Sequence, residues 1–250
     1  MATSIPTGKN GGMDDLAQLG RHLGPRGEVV LQRRTSAAGS VEELIVNGVF
    51  AMDSVDTSTE RRLADFATRS VPRRVLVGGL GLGYTAAEIL IADPPTGPGS
   101  MDRLDVVEIE ECLIDWARAG LTPTLAAVAA DPRVHLHAAD VRAVLAGLSN
   151  GPQGPWDAIV LDVDNGPDFL IHAANDALYS TASLQTAYAQ LAPGGTLAIW
   201  CQGPTAELLS TLRRISGQAR ENHFTVHRGG RDLGYVIYSL TRPGPAHQPA

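Results

Sequence analysis

The sequence of 250 residues predicts an α/β fold with a mainly parallel sheet and an antiparallel edge near the C-terminus. From Val71 onward, short apolar runs alternate with segments of helical spacing, several of them rich in Ala, which is typical of βαβ units. Most of these runs are continuously apolar, as in strands buried on both faces of a sheet. The last two runs flank the turn residues Arg228–Arg231, which indicates a hairpin.

Each element follows from such a run or spacing. The predicted strands are Val75–Val77, Leu104–Ile109, Val134–His137, Ala158–Leu161, Thr196–Trp200, His223–His227 and Gly234–Leu240. The predicted helices are Thr59–Ser70, Thr85–Ile91, Glu111–Ala119, Val141–Leu148 and Ser183–Leu191. Strands and helices in this order form right-handed crossovers in a single sheet.

The sequence before this region is predicted to be organised separately. We expect residues 1–26 to be a flexible segment with one short helix around Asp14–Leu23. Residues 27–57 form a predicted small antiparallel β-appendage, because apolar runs at Val29–Leu31 and Leu44–Val46 flank small turn-forming residues. Residues 58–242 are the predicted main domain, and residues 243–250 a flexible tail.

Composition excludes several classes of protein. A net charge of −7 argues against nucleic acid as a partner, because phosphate binding needs a basic surface. The two cysteines, Cys112 and Cys201, are too few and too far apart for a disulfide framework, which fits a reducing compartment. No apolar run reaches the roughly 18 residues that span a bilayer. We therefore expect a cytoplasmic protein with no membrane partner.

The most informative motif is a Gly-rich turn between the first predicted strand of the main domain and the helix after it. The turn carries Gly78, Gly79, Gly81 and Gly83. Glycines allow positive φ angles and close approach of a ligand to the backbone, and a helix N-terminus presents free N–H groups. The four glycines are therefore candidate ligand-binding residues. A tight connection that binds no ligand is the alternative.

Acids end the second strand of the main domain, about 25 residues beyond the glycines. An acid at this position is the expected partner of ribose hydroxyls. Glu108, with Ile109 beside it, is the candidate, because Glu110 and Glu111 suit the beginning of the next helix. We expect replacement of Glu108 by Ala to weaken nucleotide binding about tenfold, with little change in the melting temperature of the ligand-free protein.

The third strand ends at Asp140, followed by Val141. At the carboxyl edge of the sheet Asp140 is placed to recognise an adenine amino group, and the alternative is a simple N-cap of the next helix. His135 and His137 point to one face of this strand, but no third ligand accompanies them. We therefore expect no metal site.

Two carboxylates follow the fourth strand. Asp162 and Asp164 stand two residues apart directly after a buried run. They are suited to hold an amine, orient it or remove its proton, and are the candidate catalytic residues. For Asp164 the alternative is a turn in which it caps the backbone before Asn165 and Gly166.

This series of motifs, from the Gly-rich turn to the Pro193-Gly194-Gly195 turn, resembles the class I S-adenosylmethionine-dependent transferases, and within them the spermidine synthase family of aminopropyltransferases. The likeness extends from about Leu44 to Leu240. It implies a Rossmann-like class I methyltransferase fold. It also implies that Glu108 holds the ribose, Asp140 the adenine, and Asp162 the reacting amine.

The sequence also departs from the family pattern. Family members carry an acid within the Gly-rich loop, which the resemblance implies binds the cofactor's amine, whereas Gly81 or Leu82 stands there in this chain. Of the family's Tyr-His-Glu stretch, Ser58–Glu60 keeps only the glutamate. The Asp-Ser-Ser-Asp-Pro segment is altered to Asp162–Pro167. Most features expected to recognise a polyamine are therefore changed.

The resemblance implies a transferase that uses S-adenosylmethionine or its decarboxylated form to alkylate a small amine, by aminopropyl-type transfer. Methyl transfer, aminocarboxypropyl transfer or cyclisation, and a non-catalytic nucleotide-binding module remain as alternatives. The expected partner is a small amine or another small nucleophile. A homodimer is left open.

Overall fold

The computed structural model describes residues 15–93, 100–163, 166–167, 170, 173–228 and 230–244. The chain divides into two compact units, with the boundary between Val55 and Asp56. No helix in the described ranges is both long and apolar enough to cross a membrane.

The first unit is a four-stranded antiparallel sheet in the order β1-β2-β3-β4. Its strands are β1 (Asp15–Gly24), β2 (Gly27–Ser36), β3 (Gly39–Val46) and β4 (Val49–Asp53). Alternate residues of the two central strands, such as Val29 and Leu44, form its apolar core, as expected of a sheet with one buried face.

The N-terminal prediction is wrong from Asp15 onward, because those residues form β1 rather than a loose segment with a helix. The strand pairs with β2 from Asp15 opposite Thr35 to Gly24 opposite Gly27, with a register shift between Gln18 and Gly20. Most of its side chains are exposed, so it has no apolar alternation that would identify a strand in the sequence. Hydrogen bonding to β2 stabilises it, and that pairing is not visible in local composition.

The second unit is a seven-stranded sheet in the order β10-β11-β9-β8-β5-β6-β7, flanked by helices. Its strands are β5 (Arg74–Gly78), β6 (Arg103–Glu108), β7 (Val134–Ala138), β8 (Trp156–Leu161), β9 (Leu191–Cys201), β10 (Arg220–Arg228) and β11 (Arg231–Thr241). Its helices are α1 (Ser58–Thr68), α2 (Tyr84–Ala92), α3 (Glu111–Ala119), α4 (Pro123–Ala130), α5 (Val141–Leu145), α6 (Thr181–Ala189) and α7 (Ala206–Ile215), with a short 3-10 helix at Ala173–Tyr179.

This architecture confirms the predicted α/β fold. Strands β5 to β9 are parallel, and β11 pairs antiparallel with both β9 and β10, which is the predicted hairpin edge. Two helices, α4 and α7, were not predicted. A recognisable signal precedes α4: Pro123 begins the helix, and the hydroxyl of Thr122 accepts a hydrogen bond from the backbone N–H of Leu125 at 3.2 Å.

Strand register determines which side chains meet at the carboxyl edge of the sheet. Gly78, the last residue of β5, pairs with Val107 on one side and with Leu161 on the other. The next residues on the two neighbouring strands are Glu108 and Asp162. The candidate residues at the ends of three different strands are therefore neighbours, at the edge where open α/β sheets bind ligands.

Candidate active site

The Gly-rich turn joins β5 to α2 through backbone conformations that favour glycine. Gly79, Gly81 and Gly83 have φ angles of 95°, 51° and 87°. A Cβ atom on Gly79 would lie 2.0 Å from the carbonyl oxygen of Asp162, so only glycine fits there. The turn therefore lies directly against the beginning of the segment that follows β8.

Val141 lies against Gly78, where this turn begins. A Cβ atom on Gly78 would lie 2.9 Å from Cγ2 of Val141, which is buried at the beginning of α5. The structure thus places Val141, the candidate residue that follows the third predicted strand, against the end of β5. Ile109 follows Glu108 and is half-buried.

Glu108 ends β6 with a buried side chain. Its Oε2 atom accepts a hydrogen bond from the backbone N–H of Leu80 at 2.7 Å, and its Oε1 atom accepts one from the N–H of Glu110 at 2.8 Å. Burial raises the pKa of the Glu108 carboxyl, although these backbone hydrogen bonds act in the opposite direction. Glu108 therefore fixes the Gly-rich turn to β6 and to the beginning of α3.

Asp140 is the N-cap of α5. Its Oδ1 atom accepts a hydrogen bond from the backbone N–H of Arg142 at 2.8 Å. The capping alternative noted from the sequence is therefore present. A cap uses part of a carboxylate's capacity, since its two oxygens have about four acceptor positions. Recognition of adenine by Asp140 stays a prediction.

Asp162 lies immediately after β8 and next to the Gly-rich turn. Its backbone N–H donates to the carbonyl of Gly78 at 2.8 Å, and its Oδ2 atom accepts a hydrogen bond from the hydroxyl of Thr85 in α2 at 2.6 Å. Burial raises the pKa of this carboxyl, and the Thr85 hydrogen bond opposes that change. Asp164, the second candidate catalytic residue, lies outside the described residues.

Glu60 is a candidate that sequence reasoning did not include among the site residues. It lies in the first turn of α1, a helix that packs against α2, β8 and β9. Burial and the nearby charge of Asp162 raise its pKa to about 7, while a hydrogen bond from the Thr59 hydroxyl lowers it. The sequence contains one signal that could have identified Glu60: it is an acid on the apolar side of an amphipathic helix, three residues before Leu63.

Of the two histidines on β7, His137 interacts with a buried carboxylate. His137 Nε2 lies 2.9 Å from Oδ1 of Asp105, whose side chain also accepts hydrogen bonds from Arg103 and from the indole of Trp156. Among the described residues, no group of three or more His, Cys, Asp or Glu side chains is arranged to hold a metal ion. The described contacts of His137 are those of a core polar network.

Comparison with curated proteins connects this geometry to a family. The chain is 32% identical over 161 residues to a polyamine aminopropyltransferase of Nitrosomonas europaea, covering 61% of this chain and 44% of that protein. It is 31% identical over 179 residues to a polyamine aminopropyltransferase of Mycobacterium tuberculosis, covering 69% of this chain and 32% of that protein. The chain is a relative of the polyamine aminopropyltransferases. This spermidine synthase-like chain spans less than half the length of each of these two relatives.

A solved structure agrees at the level of the fold. The spermidine synthase from Thermotoga maritima matches the spermidine synthase-like chain with a TM-score of 0.70, covering 92% of this chain and 74% of that one at 15% identity. No family profile matches the sequence. The class I fold predicted from the resemblance is therefore confirmed. The roles of individual side chains stay predictions.

Proposed function

We propose that the chain is a transferase that uses an S-adenosylmethionine-type sulfonium to alkylate a small amine, by aminopropyl-type transfer. The observation that carries the proposal is the position of Asp162, whose backbone contacts the Gly-rich turn and whose carboxylate is held by Thr85. A proton acceptor is thereby fixed beside a nucleotide-type turn. The polyamine aminopropyltransferase relatives support the same reaction class.

The residues present fit the proposed cofactor. Gly81 is partly accessible in a turn that precedes a helix N-terminus, and the Glu108 carboxylate, with about four acceptor positions, keeps acceptor capacity beyond the backbone hydrogen bonds from Leu80, Gly81 and Glu110. In this proposal Glu108 holds the ribose hydroxyls, Asp140 holds the adenine amino group, and Ile109 and Val141 line the adenosyl group. When bound, the cofactor supplies an electrophilic carbon attached to a good leaving group. No metal is required for this displacement.

The protein's own part in the reaction is to align the acceptor and to take its proton. Alignment alone contributes several kcal/mol, on the order of 7–11 kcal/mol at best. An amine attacks only in its neutral form, so a carboxylate beside it has to accept a proton. Burial raises the pKa of Asp162, which makes it a stronger base than an exposed aspartate. We propose Asp164 as a second acid beside the acceptor amine.

The proposal also concerns which form of the cofactor binds, S-adenosylmethionine or decarboxylated S-adenosylmethionine. No acid occurs from Gly78 to Ala87, so the turn neither attracts a cofactor ammonium nor repels a cofactor carboxylate. We therefore propose that S-adenosylmethionine binds at least as well as its decarboxylated form. This uncharged turn also favours a second candidate function, methyl transfer to a small molecule, because that reaction needs the carboxylated cofactor.

Calorimetry with both sulfonium forms, followed by mass spectrometry of products formed with a panel of amines, tests the proposal. We expect binding, and an alkylated amine whose mass identifies the transferred group. Asp162→Asn should reduce product formation at least tenfold while leaving sulfonium affinity within about threefold, because the amide keeps the shape but cannot accept the proton. Absence of binding by both sulfonium forms would refute the proposed function, and tight binding without any product would favour a non-catalytic module.

The turn offers a separate test of cofactor form. At φ 51°, Gly81 has a left-handed conformation that Asp tolerates better than most residues. Gly81→Asp should weaken S-adenosylmethionine relative to the decarboxylated form by about 1–3 kcal/mol, through repulsion of the cofactor carboxylate. Gly81→Asn is the uncharged control and should leave the ratio of the two affinities unchanged. A native preference of about a hundredfold for the decarboxylated form would contradict this part of the proposal.

A further inference from the structure

Trp200 of β9 carries a buried hydrogen-bond donor that lacks a partner among the described residues. Its Nε1 atom is the only buried side-chain nitrogen or oxygen in the described part of the chain that forms no hydrogen bond. By comparison, the buried indole of Trp156 donates to Oδ2 of Asp105 at 3.3 Å. Native proteins seldom leave such a donor unsatisfied, because burial removes its water and nothing replaces it. The N–H of Trp200 therefore fits an acceptor atom that a ligand supplies.

Strand register places Trp200 beside Asp162. Leu161 of β8 and Ile199 of β9 are partners in the parallel ladder, and both belong to the apolar core on one face of the sheet. Because side chains alternate along a strand, Asp162 and Trp200, which follow them, lie on the opposite face at the same level. A hydrogen bond from Thr85 of α2 holds the Asp162 carboxylate there. Neighbouring strands are about 4.8 Å apart, so the two side chains begin next to each other at the carboxyl edge of the sheet.

Apolar and aromatic side chains hold the Trp200 ring in place. Its ring centroid lies 5.5 Å from that of Tyr235 in β11, with 31° between the ring planes. Ile237, the register partner of Trp200 on β11, is fully buried. Phe224 of β10 is in turn the register partner of Tyr235. The indole is thus one member of an apolar strip that crosses three strands, and this packing limits the directions in which its N–H can point.

The two neighbouring groups need different partners. An indole N–H only donates a hydrogen bond, whereas an ionised carboxylate such as Asp162 only accepts. Thr85 donates to Oδ2 of Asp162, which leaves Oδ1 without a described hydrogen bond. An ammonium group has three donors and no acceptor, so it suits Asp162 but leaves the Trp200 N–H unsatisfied. An amine that also carries a neutral oxygen satisfies both groups, whereas a carboxylate oxygen would be repelled by the charge of Asp162.

We propose that Trp200 is a specificity-determining residue, and that the acceptor is an amine with a neutral oxygen, as a hydroxyl or carbonyl group, that accepts a hydrogen bond from the indole N–H. This inference rests on the proposed function, because it defines the acceptor of that reaction. A polyamine contains only amino groups. The acceptor therefore differs in chemical class from the compounds that give the aminopropyltransferase relatives their name.

Trp200→Phe tests the assignment, because it removes the donor and keeps an aromatic ring against Tyr235. Trp116→Phe is the matched control, since Trp116 lies in α3, a helix that packs against β6, β7 and α4. Calorimetry measures binding of ethanolamine, 4-aminobutan-1-ol and 6-aminohexan-1-ol, each beside the alkylamine and the diamine of equal chain length. Every titration is made without and with S-adenosylhomocysteine, a neutral thioether that cannot transfer a group.

The expected result is a preference that depends on Trp200. We expect the wild type to bind at least one amino alcohol about tenfold or more tightly than both compounds of equal length, because only the amino alcohol satisfies the indole N–H. Trp200→Phe should reduce that preference to within about twofold. Trp116→Phe should retain it.

The indole N–H signals report the hydrogen bond directly. The chain has three tryptophans, so a proton–nitrogen correlation spectrum contains three indole signals, and the Trp200 signal is the one lost in Trp200→Phe. Saturation with the preferred amino alcohol should shift the Trp200 proton downfield, because a hydrogen bond deshields it. The signals of Trp116 and of Trp156, whose N–H already donates to Asp105, should stay in place. The alkylamine of equal length lacks the oxygen and should not produce the shift, which separates a hydrogen bond from mere occupancy.

The outcomes distinguish this inference from the proposed function. Equal preferences in the wild type and Trp200→Phe, or an unmoved Trp200 signal on binding of the preferred amine, would overturn the role of Trp200 and leave the transferase proposal intact. Tighter binding of the diamines than of every amino alcohol, or no binding of any amino alcohol, would also overturn it. A preference that depends on Trp200, without alkylation of the bound amino alcohol by either sulfonium form, would support the binding site and refute the transfer step. If Trp200→Phe fails to fold, the wild-type Trp200 signal, assigned by triple-resonance spectra, decides in its place.

Discussion

Glu108 and Asp162 follow parallel strands at the same edge of the sheet, but their surroundings differ. Both oxygens of Glu108 accept backbone N–H groups, from Leu80 and Glu110, and its side chain is buried. Asp162 has one described side-chain hydrogen bond, from Thr85, and its charge helps to raise the pKa of Glu60. The Glu108 carboxylate already organises the protein, whereas the Asp162 carboxylate is held in place but is not neutralised by any described cation. Substitutions at the two positions should therefore affect different properties.

The largest effect is expected at the contact between these two regions. Gly79→Ala places a Cβ atom 2.0 Å from the Asp162 carbonyl oxygen at a φ of 95°, so the turn and the segment after β8 have to separate. We expect a loss of more than about 3 kcal/mol in the free energy of unfolding, measured by urea denaturation.

Gly194→Ala is the matched control, because Gly194 also has a positive φ, 85°, but among the described residues no atom beyond its two chain neighbours lies within 4 Å of its Cβ position. It should lose only about 1–2 kcal/mol from backbone strain. If the two variants were equally stable, the close contact at Gly79 would not exist in solution.

Glu108→Ala tests the organising role of the first carboxylate. The expectation from sequence, weaker nucleotide binding with an unchanged melting temperature, does not agree with the contacts of Glu108, because two backbone N–H groups would lose their acceptor. We expect about 2–4 kcal/mol lower stability, or a melting temperature lower by about 5–15 °C, together with at least tenfold weaker sulfonium binding.

Glu111→Ala is the control for this variant, since Glu111 is an exposed acid in the first turn of α3. Scanning calorimetry and titration with S-adenosylmethionine should show near wild-type values for it. If the ligand-free Glu108→Ala protein had the same melting temperature as the wild type, Glu108 would have the simpler role, in which it contacts only the ligand.

The smallest effect on stability, and the most specific effect on activity, is expected at Thr85. Thr85→Val removes the 2.6 Å hydrogen bond to Asp162 and should change stability by about 1 kcal/mol. Because that bond lowers the pKa of Asp162, its loss should raise this pKa further. The acidic limb of the kcat/KM profile should then move to higher pH.

Thr186→Val provides the comparison, because the Thr186 hydroxyl donates to a carbonyl of its own helix at 2.9 Å. It should leave the pH profile unchanged. An unshifted profile for Thr85→Val would mean that Asp162 does not determine the ionisation on which activity depends.

Most of the fold could be predicted because its signals are local. Continuous apolar runs identified the buried strands, and the Gly-rich turn identified the connection from β5 to α2. The start of α4 also has a local signal, the N-cap Thr122 followed by Pro123. Strand β1 could not be predicted in this way, because pairing with β2 rather than local apolar alternation stabilises it.

The sequence by itself determined the order of strands and helices and the positions of Glu108 and Asp162 directly after buried runs. Only the tertiary structure decided what those carboxylates contact. Glu108 approaches Leu80 across 28 positions in sequence, and the charge of Asp162 affects the pKa of Glu60, which lies on a helix outside the predicted motif series. Apolar periodicity specifies which side of an element is buried, because burial depends on local alternation of side chains. The partner of a buried polar group depends on strand order and helix packing, which sequence spacing alone does not specify.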